Sequence, residues 1–242
     1  RVASWGMSFR VPLLVLLASL AGAAAPVAQQ PGSPTARVVE GSRIALPGQI
    51  DSNVPMVWSS VDGVPRLFAT VSWGGVPSLL GGARLEQLQS LGELTVTPHP
   101  GDGVWVESIL QDDGGAWYGY YHHEVPAAVC GMPDRSLLRI GAVRSVDDGR
   151  TWEDLGTVLE APPESIACGT ANRFVVGGVG DLTAVLDADR QWLFLYFSQY
   201  GRTPDAQGVG VARLPWADRD APAGRALVWR DGVWLPPTAV PD

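Results

Sequence analysis

Lysine is absent from the 242 residues: the positive charge is carried by seventeen arginines set among twenty-five acids, for a net charge of −8. With no basic stripe to track a phosphate backbone, nucleic acid is excluded as a partner. Histidine is scarce, with three in the chain. No His or Cys pair stands at ligand spacing, so neither a metal nor a cofactor is called for. No long stretch places apolar residues at helical spacing, which excludes a helical bundle. The two cysteines, Cys130 and Cys168, lie in the loops Cys130-Gly131-Met132-Pro133 and Cys168-Gly169. In an exported chain they read as a single disulfide, with two free thiols as the alternative.

What is present points to short strands and tight turns. Hydrophobic residues make up 46% of the chain, beside 29 glycines, 20 prolines and 10 tryptophans, which supports a sizeable core in an all-β fold. From Met7, an arginine, the apolar run Val11–Leu20 and the small residues Ala21–Ala25 have the layout of a secretory signal peptide cleaved after Ala25 or Ala28. The run falls short of the ~20 residues of a membrane span, so the expectation is a secreted or periplasmic protein without a stable span. An uncleaved anchor is the alternative. Residues 1–28 are thus upstream material and signal, 29–48 a Pro-, Gln- and Ser-containing linker, and 49–242 the folded region.

Within the folded region a single pattern recurs three times: an acid, an apolar strand, an Asp- or Gly-rich turn and an aromatic strand. Asp51 precedes Val54–Trp58, the turn Asp62-Gly63 and Leu67–Ala69. Glu107 opens the strand before Asp112–Gly115 and Trp117–Tyr121, and Asp181 opens the strand before Asp187–Gln191 and Trp192–Phe197. A third strand with an arginine follows each hairpin (Arg84, Arg144, Arg213), then a fourth apolar piece (Glu93–Val96, Gly156–Leu159, Ala226–Trp229). Four antiparallel strands per repeat is the grammar of β-propeller blades, here over about 50–97, 103–160 and 177–235. Three blades do not close a propeller, so the chain reads as truncated, and alone it is expected to aggregate through its uncovered blade face.

Ser145-Val146-Asp147-Asp148-Gly149-Arg150-Thr151-Trp152 fits S-x-D-x-G-x-T-W and resembles the Asp-box of sialidases and many other propellers. Its role is that of a turn: Ser145, Asp147 and Gly149 shape the hairpin between third and fourth strands, and Trp152 fills the blade interior. Asp51, Glu107 and Asp181 differ, because the innermost strand of each blade begins beside the propeller axis and the three would share one pocket. A protonated acid for the departing oxygen and an ionised carboxylate for the anomeric carbon are what glycoside hydrolysis needs. Taken singly, each could instead be a turn or backbone-bonding acid.

This constellation resembles the five-bladed propeller glycosidases, the arabinanase and xylosidase family together with the invertase and levansucrase group. The resemblance implies a carbohydrate substrate, Asp51 as base or nucleophile, Glu107 as general acid and Asp181 as orienting or pKa-tuning acid. Here the Glu is on blade two and the last Asp on blade three, the reverse of the family order. Trp58, Trp105 and Tyr200 are candidate sugar-stacking residues. His122 is a hydrogen-bonding or structural residue, one of a His122-His123 pair of which strand alternation lets one face inward. Arg173 and Arg202 are candidate substrate ligands. A sialidase-like six-bladed enzyme is a second reading, for which Arg139 is a weak echo of the arginine cluster required. A non-catalytic propeller that binds glycans or a protein is a third.

Overall fold

The computed structural model describes residues 37–41, 43–101, 103–201, 203, 205 and 207–237. The signal-peptide segment, residues 29–36 and 42 of the linker, and Arg202 lie outside them. Arg43–Asp242 forms one compact unit, in which Leu46 and Ile50 lie against the apolar face formed by Leu67, Ala69, Val71, Leu80 and Leu88. Among the described residues no helix is long and apolar enough to cross a membrane.

The fold is all-β and built from propeller blades. Blade one is the antiparallel meander β1 (Met56–Val61), β2 (Val64–Trp73), β3 (Val76–Gly82) and β4 (Gln89–Glu93). The β1–β2 turn is Asp62-Gly63, with φ of 52° and 76°, the double left-handed geometry that suits an Asp-Gly hairpin turn. The fourth strand differs from the expected Glu93–Val96. All of β4 is exposed and offers no apolar signal, whereas Thr95–Thr97 forms β5, which pairs in parallel with blade two and buries Val96. Arg84 likewise sits in the turn after β3 and not within it.

Blade two comprises β6 (Val104–Gln111), β7 (Trp117–Ala127), β8 (Met132–Ser145) and β9 (Thr151–Glu160). Its first turn is held by Asp112, whose Oδ1 accepts the N–H groups of Gly114 and Ala116, both at 2.9 Å. The Ser145–Trp152 turn joins β8 to β9. Asp147 Oδ1 accepts the N–H of Arg150 and Thr151, its Oδ2 accepts the Thr151 hydroxyl, and Trp152 Nε1 donates to Gly149 O at 2.8 Å. Burial alone would push the Asp147 carboxyl up, but these bonds from Thr151, Ser145 and Arg150 hold it below the usual range. Trp152 is buried beside Trp117.

Blade three comprises β10 (Val175–Leu186), β11 (Trp192–Tyr200), β12 (Gly208–Pro215) and β13 (Leu227–Arg230), with an added edge strand β14 (Val233–Leu235). Its first turn repeats the Asp device, Asp187 Oδ1 accepting from Gln191 and Trp192. Side chains alternate along β7 and so face two cores: Trp117 and Tyr121 pack against blade one with Phe68, while Tyr118 and Tyr120 pack against blade three with Leu182 and Leu195. Tyr121 needs the glycine opposite it. A Cβ at Gly141 would lie 2.0 Å from the Tyr121 ring.

The β7–β8 hairpin extends beyond the blade, and β8 also pairs in parallel with the start of β10, Ser136 to Leu138 against Val175 to Gly178. Cys130 at the hairpin tip is bonded to Cys168 in the loop between β9 and β10, which staples blade two to the strand that carries Asp181. Replacing both cysteines by alanine is expected to lower the unfolding free energy by about 3–4 kcal/mol, the loop-closure value for their separation of 38 residues. A urea titration reads this. An unchanged midpoint would mean that the hairpin tip is held without the bridge.

Candidate active site

Asp51, Glu107 and Asp181 line one open cavity of about 450 Å³, together with Ser52, Asn53, Leu182 and Thr183. A second hollow of about 410 Å³ continues past Asn53, Glu107 and Thr183 along Pro55, Met56, Ser108 and Ile109. Two of the acids reach the cavity by the same local device. The β6–β7 register slips between Val106 and Ser108, and the β10–β11 register slips between Gly180 and Leu182, so Glu107 and Asp181 are each the extra residue of a β-bulge. A bulge breaks strand alternation and re-aims one side chain. Asp51 comes from the segment ahead of β1, where its N–H donates to Ser72 O at 3.0 Å.

Each acid has a different environment. Glu107 is 6% exposed, and its Oε2 accepts the Asn53 N–H at 2.9 Å. Burial pushes its carboxyl above the usual range. The Asn53 bond opposes this, as a charged His122 would, and the charges of Asp181 and Asp51 add to it. A His122 protonated at Nδ1 would hold Asp181 below the usual range by donating to its carboxylate, and the Tyr200 hydroxyl acts in the same direction, against the partial burial of Asp181. Tyr200 donates to Asp181 Oδ2 at 2.5 Å; burial and then that carboxylate push its hydroxyl up to about 12. Asp51 is exposed, with Oδ1 accepting from Trp105 Nε1 at 2.8 Å and Oδ2 from the Gly74 N–H at 3.1 Å. One buried acid with a raised proton affinity beside two carboxylates with donors on them is a division of labour that suits acid–base chemistry.

The structure rearranges the expected ligand residues. Trp105, His122 and Tyr200 are engaged with the acids: Trp105 holds Asp51 and lies 5.4 Å from the His122 ring, and His122 and Tyr200 contact Asp181. Trp58 lies outside the cavity lining, 55% exposed, because alternation along β1 turns Val57 and Val61 to blade two and Trp58 the other way. Arg173 is exposed on the loop before β10, also outside the lining. Arg139 donates from Nε to His123 Nδ1 and is not among the residues that line either hollow. Sequence reasoning missed Asn53 and Ser108. Asn53 ties three blades together, its N–H on Glu107 and its side-chain amide donating to Leu182 O at 3.0 Å, while Ser108 Oγ accepts the Ala184 N–H at 2.9 Å. Their one signal is a small polar residue beside a strand-start acid, and such residues are common in turns. Among the described residues no group of three or more His, Cys, Asp or Glu is placed to hold a metal ion.

No protein-family model and no curated protein matches the chain. Solved structures that resemble it include an endo-arabinase from Bacteroides thetaiotaomicron, at 19% identity and a TM-score of 0.47, covering 75% of this chain and 59% of that one. A thermostable family-43 glycoside hydrolase aligns at 10% identity and a TM-score of 0.48, covering 78% and 58%. A xylan β-1,4-xylosidase from Bacillus halodurans aligns at 14% identity and a TM-score of 0.37, covering 75% and 31%. The chain therefore spans less than two thirds of the length of each of these proteins.

The opposed environments give opposed pH effects. The folded chain holds the Glu107 proton more tightly than the unfolded chain, so the stability this contributes is full in acid and is lost as pH rises through the raised value. With His122 protonated, Asp181 would contribute above the usual carboxylate range and lose its contribution as pH falls through its depressed value. Glu107→Gln keeps an acceptor for the Asn53 N–H but removes the ionisation. It is expected to melt above wild type at about pH 7 and level with it at about pH 4. Equal melting temperatures at both would mean that Glu107 ionises in the fold without cost.

Proposed function

We propose that this chain carries the acids of a glycoside hydrolase site in an exported β-propeller protein. The observation that supports this reading is the convergence of Asp51, Glu107 and Asp181 on one cavity, with Glu107 buried and the other two supplied with hydrogen-bond donors. In this scheme Glu107 gives its proton to the departing glycosidic oxygen as the C–O bond breaks. Asp51 either takes a proton from the attacking water or itself attacks the anomeric carbon. Asp181, fixed from both sides, orients the sugar and keeps Glu107 protonated by its negative charge. Export is supported by the signal-like N-terminus and by the Cys130–Cys168 bridge.

Among the described residues the lining of both hollows contains no arginine, and lysine is absent from the chain. A sugar bearing a carboxylate would meet three acids and no cation there, an arrangement that selects against it. The substrate class is therefore a neutral glycoside, which disfavours the sialidase-like reading.

Hydrolysis of a panel of arabinosides, xylosides, fructosides and sialosides tests this. Turnover is expected on a neutral glycoside, with sialosides inert. Glu107→Gln should cost about 10²–10⁴-fold on substrates with poor leaving groups and much less on aryl glycosides whose leaving group needs no proton. Unchanged turnover in the variant would remove Glu107 from the chemistry, and cleavage of sialosides alone would overturn the assignment of substrate class.

A further inference from the structure

His122 lies at the centre of the polar contacts around Asp181. It is 5% exposed, on the face of β7 turned toward blade three. Its Nδ1 meets two atoms of one residue: the Asp181 N–H at 3.0 Å and the Asp181 Oδ1 at 3.2 Å. Both cannot be hydrogen bonds at once, since a ring nitrogen has one in-plane position, filled by either a lone pair or a proton. A bare Nδ1 accepts the backbone N–H, and a protonated one donates to the carboxylate. The peptide hydrogen is fixed by the backbone, whereas the carboxylate already has a donor in Tyr200, at its other oxygen.

The backbone at this point is unusual. Asp181 has φ of 41°, a left-handed conformation that a residue with a side chain adopts at a cost. It is also the extra residue of the β10 bulge, so its N–H has no place in the strand ladder. Gly180 makes the approach of the ring feasible, because a Cβ there would lie 2.9 Å from the imidazole. Trp105 flanks the ring. The acids around it are Asp181 at Nδ1, Glu124 with Oε1 3.7 Å from Nε2, and Glu107. Among the described residues, Nε2 is buried and has no hydrogen-bond partner.

From this geometry we infer that His122 is a positioning residue for Asp181: a neutral ring with bare Nδ1 accepts the Asp181 N–H and fixes the bulge that aims the carboxylate into the cavity. The proton of the neutral ring then sits on Nε2, next to Glu124, whose other oxygen accepts the Ser136 hydroxyl at 2.9 Å. The catalytic meaning of the clamp rests on the proposed role of Asp181 in glycoside hydrolysis. The clamp itself does not, and its test needs no substrate.

Long-range ¹⁵N–¹H NMR of the full chain, with three histidines to assign, reads the ring state directly. A His122 ring protonated at Nε2 and bare at Nδ1 at neutral pH is the expected result. A ring protonated at Nδ1, alone or together with Nε2, overturns the clamp. Amide hydrogen exchange at Asp181 supplies the second reading. His122→Asn, whose amide oxygen can stand near the Nδ1 position, should keep the Asp181 N–H protected to within about twofold of wild type. His122→Phe should exchange about fivefold faster or more, the loss of one ordinary hydrogen bond. Equal exchange in both variants would contradict the inference even if both remain folded. If the clamp holds and no glycoside is cleaved, the fault lies with the functional reading and not with the clamp.

Discussion

The innermost strand of a blade has neighbours on both faces, so ordinary strand alternation delivers its side chains to the inter-blade cores and none to the axis. On β6, Val106 joins the core with blade one while the Ser108 hydroxyl receives a blade-three N–H. A residue between them can enter the axial cavity only if the alternation is interrupted. The bulges at Glu107 and Asp181 provide that interruption, and everything proposed about the chemistry depends on them. The cost is backbone strain and lost ladder pairing, visible in the left-handed Asp181. Side chains from neighbouring elements offset some of it: Asn53 at Glu107, and His122 with Tyr200 at Asp181.

The same alternation makes β7 the strand that links the three blades. Its odd-numbered residues Trp117 and Tyr121 fill the core with blade one, and its even-numbered residues Tyr118 and Tyr120 fill the core with blade three. Carried one step further it separates the two histidines, sending His122 to Asp181 and His123 to Arg139. Small residues accommodate the large ones on both sides. Gly141 lies under Tyr121, and Gly119 stands where a Cβ would meet Val143 and Trp152. The aromatic packing between blades thus places the supports of the acids as well as the core.

Much of the architecture is legible in the sequence because its signals are local. The Asp-Gly and Asp-rich turns mark the first hairpin of each blade, and the recurrence of acid, strand, turn and aromatic strand identifies an all-β propeller fold. That the two histidines of the pair take opposite faces follows from a period of two, although both are buried. The edge of blade one is misplaced by sequence reasoning because β4 is exposed along its whole length and carries no apolar pattern, whereas Val96, which does, pairs with the neighbouring blade. Trp58 and Arg173 lie outside the cavity lining for a related reason: composition tells that an aromatic or an arginine is near a strand start, not which face it takes. The contacts of Trp105 with Asp51 and of Tyr200 with Asp181 are not legible, since a hydrogen bond from an indole or phenol to an acid on another strand leaves no trace in the order of residues. Asn53 carries no signal beyond its place two residues after Asp51.

Three carboxylates gathered on one cavity matter chemically only if their environments separate their proton affinities, and Glu107 is where burial and neighbouring charge push hardest toward that separation. Carboxyl ¹³C NMR of the full chain, followed as a function of pH, measures it without a substrate. Glu107 is expected to titrate above the usual carboxylate range, and Asp181→Asn should move it down by removing a neighbouring charge. A Glu107 that titrates within the usual range and does not respond to Asp181→Asn would contradict the assignment of a shared acid–base site.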